Sequence, residues 1–98
     1  MISSEFRRSI VEFLKVLADP TRLEILDYLK DNEMAASDVK GRLKRSQSTV
    51  SKHLKLLVNN NLINFEKKAN IKYYKLNNDI DISNLITQIS SIVTSINK

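Results

Sequence analysis

A mainly α-helical domain with one β-hairpin, ordered helix, helix, helix, helix, hairpin, helix, is the architecture this chain predicts: a winged helix-turn-helix. Helical spacing of apolar residues in four successive stretches is the first sign. The second is a change of period near residue 62, where two short runs rich in β-branched and aromatic residues flank a polar turn. The third is charge, because basic side chains gather on the last two helices before the hairpin and on the hairpin itself.

Phe6, Ile10, Phe13, Leu14 and Leu17 recur at helical spacing and predict a first helix over residues 4–17. Asp19-Pro20 starts a second. The carboxylate accepts from amides that a first turn leaves unpaired, and proline suits the first helical position because its missing N–H costs nothing there. That helix presents Leu23, Ile25, Leu26 and Leu29 and ends near Lys30–Asn32. Ser37 is expected to cap a short third helix, with Asp38 in its first turn, where a carboxylate suits the helix dipole, and Val39 and Leu43 facing inward. Ser46 caps a fourth helix with Val50, Leu54, Leu57 and Val58 on one face. Asn59, Asn60 and Asn61 end it, since asparagine takes the left-handed conformation best after glycine. The hairpin joins Leu62-Ile63-Asn64-Phe65 to Ile71-Lys72-Tyr73-Tyr74-Lys75-Leu76 across Glu66-Lys67-Lys68-Ala69-Asn70, with Asn70 at positive φ. A last helix begins near Asp81 and repeats Ile82, Leu85, Ile86, Ile89, Ile92, Val93 and Ile96.

With 98 residues, 42% hydrophobic and 28% charged, the chain is expected to form one domain over 1–98, with no room for a second core. Within it, 1–18 and 79–98 hold the outer helices, 37–58 the helix-turn-helix and 62–76 the wing. There is no cysteine and one histidine. That excludes disulfides and thiolate metal sites and leaves too few ligands for most zinc chemistry. Apolar runs are too short to span a bilayer, and Glu5, Arg7 and Arg8 interrupt the N-terminus before an export segment forms. A cytoplasmic protein without membrane contact is expected. No nucleophile sits beside a base, so neither an enzyme nor a cofactor is expected.

Residues 37–58 carry Lys40, Arg42, Lys44, Arg45, Lys52 and Lys55 against Asp38 alone, and residues 64–76 carry Lys67, Lys68, Lys72 and Lys75 against Glu66. Both ends of the chain are slightly acidic. Charge concentrated this way reads as a phosphate-facing surface, with a merely solvated basic face as the bland alternative.

Leu17-Ala18-Asp19-Pro20-Thr21-Arg22-Leu23-Glu24-Ile25-Leu26 closely resembles the start of the second helix in arsenic-repressor-type (ArsR/SmtB) regulators. Ser46-Gln47-Ser48-Thr49-Val50-Ser51-Lys52-His53-Leu54-Lys55-Leu56-Leu57 resembles that family's recognition helix. Asn61-Leu62-Ile63 and Tyr73-Tyr74-Lys75-Leu76 sit where its wing begins and ends. The resemblance runs from Leu17 to Leu76 and implies a homodimeric transcriptional repressor on double-stranded DNA, paired through its first and last helices. Ala35 and Ser37 stand where many members place metal-binding thiolates. The last helix has no His or Glu for the zinc site of others, and Asp79 and Asp81 read as helix-start residues, so no metal is expected. Lys44-Arg45 replaces the glycine and apolar residue of the family's turn, and Asn70 replaces the wing's glycine.

With Val50, Leu54 and Leu57 inward, Ser48, Lys52 and Lys55 turn outward. Gln47, Ser48 and Thr49 are the candidates for base edges, since Gln bonds adenine bidentately and Ser serves several bases. A purely capping role for Ser46 to Thr49 is the alternative, and Ser46 is mostly cap. Ser46, Ser51, Lys52, His53, Lys55, Arg42, Lys44 and Arg45 are the candidates for phosphate contact, which positions a protein without specifying sequence. His53 reads as a packed, hydrogen-bonded residue or a phosphate donor rather than a metal ligand. For Lys44 and Arg45, phosphate contact and simple solvation both stand open. Lys67, Lys68, Asn70 and Lys72 form the wing; lysines there also guard a strand edge, but they exceed what that needs.

Phe6, Ile10 and Phe13 with Leu85, Ile89, Ile92 and Ile96 are the candidate dimer interface, because so small a monomer cannot cover both outer stripes as well as its middle helices. A last helix folded back on its own core is the alternative. A two-fold pair would set its recognition helices ~34 Å apart and read an inverted repeat. Two other functions compete with repression at an operator: a winged-helix interaction module with weak or no DNA affinity, and a metal-responsive repressor.

Overall fold

Five helices and three strands follow one another as α1 (Ser4–Leu17), α2 (Pro20–Asp31), β1 (Met34–Ala35), α3 (Ala36–Leu43), α4 (Gln47–Asn59), β2 (Ile63–Lys68), β3 (Ile71–Leu76) and α5 (Ile82–Ile96). The structure is a computed structural model and describes residues 2–97; Met1 and Lys98, which the expected 1–98 domain includes, lie outside the described residues.

Oxygen-bearing caps set four of the five helix starts. Ser3 Oγ accepts from the Phe6 amide at 3.1 Å, Asp19 Oδ1 from Arg22 at 3.0 Å, Ser46 Oγ from Thr49 at 3.2 Å and Asp81 Oδ1 from Asn84 at 3.0 Å. Each satisfies a donor that the first turn leaves orphaned. The third helix differs from expectation, because Ser37 does not cap it. Met34 and Ala35 are drawn into a short strand, pairing with Tyr74 and Tyr73 of β3, so α3 begins directly after Ala35 and Ser37 falls inside its exposed first turn. Asp38 reaches back instead, its Oδ2 accepting from the Ala35 amide at 3.2 Å, the acidic half of a capping box.

The sheet is antiparallel in the order β1-β3-β2. Strand β2 runs on to Lys68, which pairs with Ile71, so the turn is the two residues Ala69 and Asn70 and not the five expected. Both have positive φ, 52° and 66°, the geometry that matches the natural twist of a hairpin. At the other end of α4, Asn61 takes φ 60°, as an asparagine after a helix does.

Val16, Leu17, Ile25, Leu26, Leu29, Val39, Val50, Leu54, Leu57, Leu62, Ile63 and Ile82 form one core where α2, α3 and α4 meet the base of the wing. Helix α5 joins it through Ile82, with Leu85 and Ile86 half-buried. Beyond them the helix leaves the core, and Ile92 and Ile96 are 61% and 75% exposed. Helix α1 repeats the pattern: Val16 and Leu17 are buried, Ile10 and Phe13 half-buried, and Phe6 57% exposed. The last helix is therefore not folded back along its length.

Candidate nucleic-acid interface

Helix α4 buries Val50, Leu54 and Leu57 and leaves Gln47, Ser48, Ser51, Lys52 and Lys55 exposed on the opposite side, as a 100° step per residue requires. Its first turn is tied by hydroxyls. Ser46 Oγ donates to Thr49 Oγ1 at 2.9 Å, accepts from the Thr49 amide, and lies 3.3 Å from Ser48 Oγ. Ser46 thus caps, and half-buried Thr49 is engaged within the turn. Gln47 stands exposed beside them, on the helix end whose amides and dipole favour a phosphate.

His53, on the flank of the same helix, is held from inside by Arg22. The Arg22 guanidinium carries only donors, so its Nη1 donates to His53 Nδ1 at 3.2 Å, and the ring proton sits on Nε2. The same side chain, 14% exposed, donates from Nε to the Val16 carbonyl at 2.5 Å and from Nη2 to the Lys15 carbonyl at 3.2 Å, and lies 3.7 Å from Asp19 Oδ2. One residue in the first turn of α2 thereby joins the last turn of α1 to the recognition helix. Burial works against the charge on Asp19, but the Arg22 amide and the Arg22 guanidinium outweigh it and hold the carboxyl below its ordinary value.

The turn into α4 contains Lys44 at φ 55°, with its amide donating to the Lys40 carbonyl at 2.9 Å. A lysine therefore occupies the left-handed position that glycine takes without strain. Lys44→Gly is expected to stabilise the fold by about 0.5–1 kcal/mol, read as a higher urea midpoint. Should Lys44 also touch phosphate, the same change makes the salt dependence of DNA binding shallower by about 0.9 for each phosphate it no longer neutralises. An unchanged midpoint would remove the strain argument. Arg45 is exposed, whereas Arg42 packs its guanidinium 4.4 Å from the centre of the Tyr28 ring and so lies against α2.

The two-residue turn splits the wing lysines between faces. Residues alternate across a strand, so Phe65, Lys67, Lys72 and Tyr74 share one face and Glu66, Lys68 and Tyr73 the other. The first face looks toward α4, since Phe65, Lys72 and Tyr74 line a groove with Ser51, Leu54 and Lys55. Lys67 stands directly opposite Lys72, a like-charge pair that is unfavourable unless an anion lies between or over it. Lys68 is committed elsewhere. Its Nζ lies 2.5 Å from Glu33 Oε1 and 5.5 Å from the Tyr73 ring centre, and the hydrogen bond to Glu33 raises its pKa above the ordinary lysine value. Asn70, at the tip, is exposed.

Of the expected contact residues, the structure thus gathers Gln47, Ser48, Ser51, Lys52, Lys55, Lys67 and Lys72 around one basic surface. Arg42, Thr49 and Lys68 have partners within the chain. Arg22 was missed as a link, although an arginine in the turn after an Asp-Pro helix start is a visible sign of a side chain that can fold back over the cap.

A helix offering a polar, exposed first turn beside a basic hairpin defines a DNA-binding regulator of the winged helix-turn-helix class. The family model for bacterial regulatory proteins of the arsR family matches residues 19–64. The arsenical resistance operon repressor of Staphylococcus aureus is 39% identical over 88 residues, covering 90% of this chain and 84% of that protein. The solved structure of HlyU from Vibrio cholerae superposes with a TM-score of 0.76 at 31% identity, covering 92% of this chain and 97% of the other. A homodimeric winged helix-turn-helix DNA-binding domain from Mycobacterium bovis, 22% identical, shares the fold with a TM-score of 0.76 over 94% of this chain and 88% of that one. The chain belongs to the ArsR family of bacterial regulatory proteins and is a DNA-binding transcriptional regulator. No described helix is long and apolar enough to cross a membrane.

Proposed function

We propose that the chain acts as a homodimeric repressor that occupies an inverted-repeat operator in duplex DNA. The observation that carries this reading is the exposed face of α4, Gln47, Ser48, Ser51, Lys52 and Lys55, continuous with the Lys67–Lys72 pair of the wing. In this reading Gln47 and Ser48 read base edges, with Ser46 and Thr49 holding the first turn in shape. Ser51, Lys52, Lys55, Lys44, Arg45 and the His53 Nε2–H bind phosphates, and Lys67, Lys72 and Asn70 reach the backbone beside the next groove. The exposed stripes of α1 and α5, Phe6 with Ile89, Ile92 and Ile96, support pairing across a two-fold axis. A repressor named as such in S. aureus is 39% identical over 90% of this chain and supports repression, while HlyU of V. cholerae is named an activator.

The release signal in this reading is not a metal. The chain has no cysteine, Ala35 and Ser37 offer no thiolate, and no three His, Asp or Glu side chains converge among the described residues. Titration of fluorescent operator fragments from the protein's own promoter tests the proposal. Affinity is expected to fall with salt along a log–log slope of about −5 to −10, and Lys67→Gln with Lys72→Gln to make it shallower by about 0.9 for each phosphate left unneutralised. Absent or salt-insensitive binding overturns the operator reading and leaves a protein-interaction module.

A further inference from the structure

Between the second half of α4 and the inner face of the wing lies an open groove of about 470 Å³, lined by Ala36, Ser51, Leu54, Lys55, Val58, Asn59, Phe65, Lys72 and Tyr74. That volume falls within the range of small-molecule sites. Its floor is apolar and aromatic. Leu54 is buried, Val58 half-buried, and the Phe65 and Tyr74 rings meet at 5.7 Å between centres with a 53° tilt. Phe65 stays 40% exposed at the mouth. The rim is cationic: Lys72 holds its ammonium 4.5 Å from the Phe65 ring centre, and Lys55 approaches from the helix. Among the described residues, no carboxylate lines the groove.

We propose that this groove binds a small aromatic carboxylate, whose flat apolar body covers Phe65, Leu54 and Val58 while its carboxylate meets Lys55 and Lys72. An uncharged apolar molecule would gain nothing from the charge of either ammonium group. A DNA phosphate would satisfy them but has no apolar body, so the floor would stay wet. A carboxylate satisfies the charge as the ring buries the floor, with Ser51 and Asn59 able to donate to it. The Tyr74 hydroxyl, like any phenol at neutral pH, is a donor. The consequence rests on the operator reading: Ser51, Lys55 and Lys72 serve both ligands, so occupation of the groove withdraws them from phosphate and releases DNA.

The probe is 2-naphthoate, titrated into the 15N-labelled full chain. Saturable shifts confined to the amides of Val58, Phe65, Tyr74 and their neighbours are expected, with 2-naphthamide binding at least tenfold more weakly. Lys72→Gln and Lys55→Gln, both exposed and without bearing on the core, are each expected to weaken naphthoate at least fivefold, and Val58→Trp to fill the groove and abolish it. Shifts spread over α1 and α5 instead, equal binding of acid and amide, or indifference to the lysine changes would each overturn the site. A second arm measures operator affinity with and without naphthoate. A drop of tenfold or more in the wild type that is absent in Val58→Trp supports direct competition, whereas an unchanged affinity overturns the competition. The first arm contains no DNA, so a protein that binds naphthoate as described but no operator would refute the operator reading alone.

Discussion

Replacing Arg22 with leucine is expected to lower the unfolding free energy by about 1–3 kcal/mol, the range for leaving part-buried hydrogen-bonding groups without their partner. Three acceptors lose their donor together, the Val16 and Lys15 carbonyls and His53 Nδ1, and Asp19 Oδ2 loses an ion-pair partner 3.7 Å away. Leucine replaces the apolar stem of the side chain but none of its hydrogen bonds. Arg22→Lys keeps the charge yet offers a single donor centre for partners arranged around a planar fork, so it is expected to recover less than half of the loss. The pH dependence separates this account from a simple packing defect. Asp19 has its folded-state pKa held below the ordinary 3.8. Its contribution is therefore present above that value and lost as the pH falls through the lower, folded one. The backbone amide at position 22 still caps Asp19 in the variant. Without the guanidinium the depression therefore relaxes only in part, and the gap between wild type and Arg22→Leu should narrow modestly as the solution is acidified below 3.8. Urea unfolding at several pH values measures it. A loss under 0.5 kcal/mol at neutral pH, well below the ~1–3 kcal/mol for one stranded group, would remove Arg22 as the link between α1 and α4.

Ile92→Glu is expected to separate the proposed dimer and weaken operator binding by at least about a hundredfold, because each subunit alone grips a single half-site and loses the effective concentration that pairing provides. Ile92 is 61% exposed in the subunit, so the substitution leaves the core intact and subunit stability close to wild type. Across a two-fold axis the new carboxylate would meet apolar surface or its own mate, and either destabilises association. Sedimentation velocity should show half the wild-type mass, with the circular dichroism spectrum unchanged. A variant that sediments and binds like the wild type would rule out α5 as the pairing surface.

Most of the helical frame was legible in the sequence, for a reason visible at each start. Ser3, Asp19, Ser46 and Asp81 each precede an apolar stripe of helical period and each accepts from the amide three residues on. Where the two signals separate, the reading slips. Met34-Ala35 is too short to show any period, and it becomes a strand only because β3 offers Tyr73 and Tyr74 as partners, which displaces the start of α3 from Ser37. A lysine carries no preference for positive φ, so nothing local marks Lys44; the tight passage between α3 and α4 imposes it. The wing shows how one small error spreads. Placing Glu66 to Asn70 in a loop puts Lys67 and Lys68 together at the tip, whereas a two-residue turn extends the alternation and sends them to opposite faces. The exposed polar face of α4 followed from period alone, because helical geometry converts spacing into direction without help from the rest of the chain. The Arg22 bonds join residues as far as 31 positions apart and depend on the packing of α1 and α4 around the start of α2.

Because Lys67 and Lys72 confront each other across the hairpin, the isolated protein stores repulsion at the far end of its wing. Dissolved anions soften that repulsion and a polyanion cancels it. The tip is therefore expected to fray in dilute buffer, and, where the wing meets phosphates as proposed, to firm up there, so that part of the grip on DNA would come from the protein settling into its own hairpin.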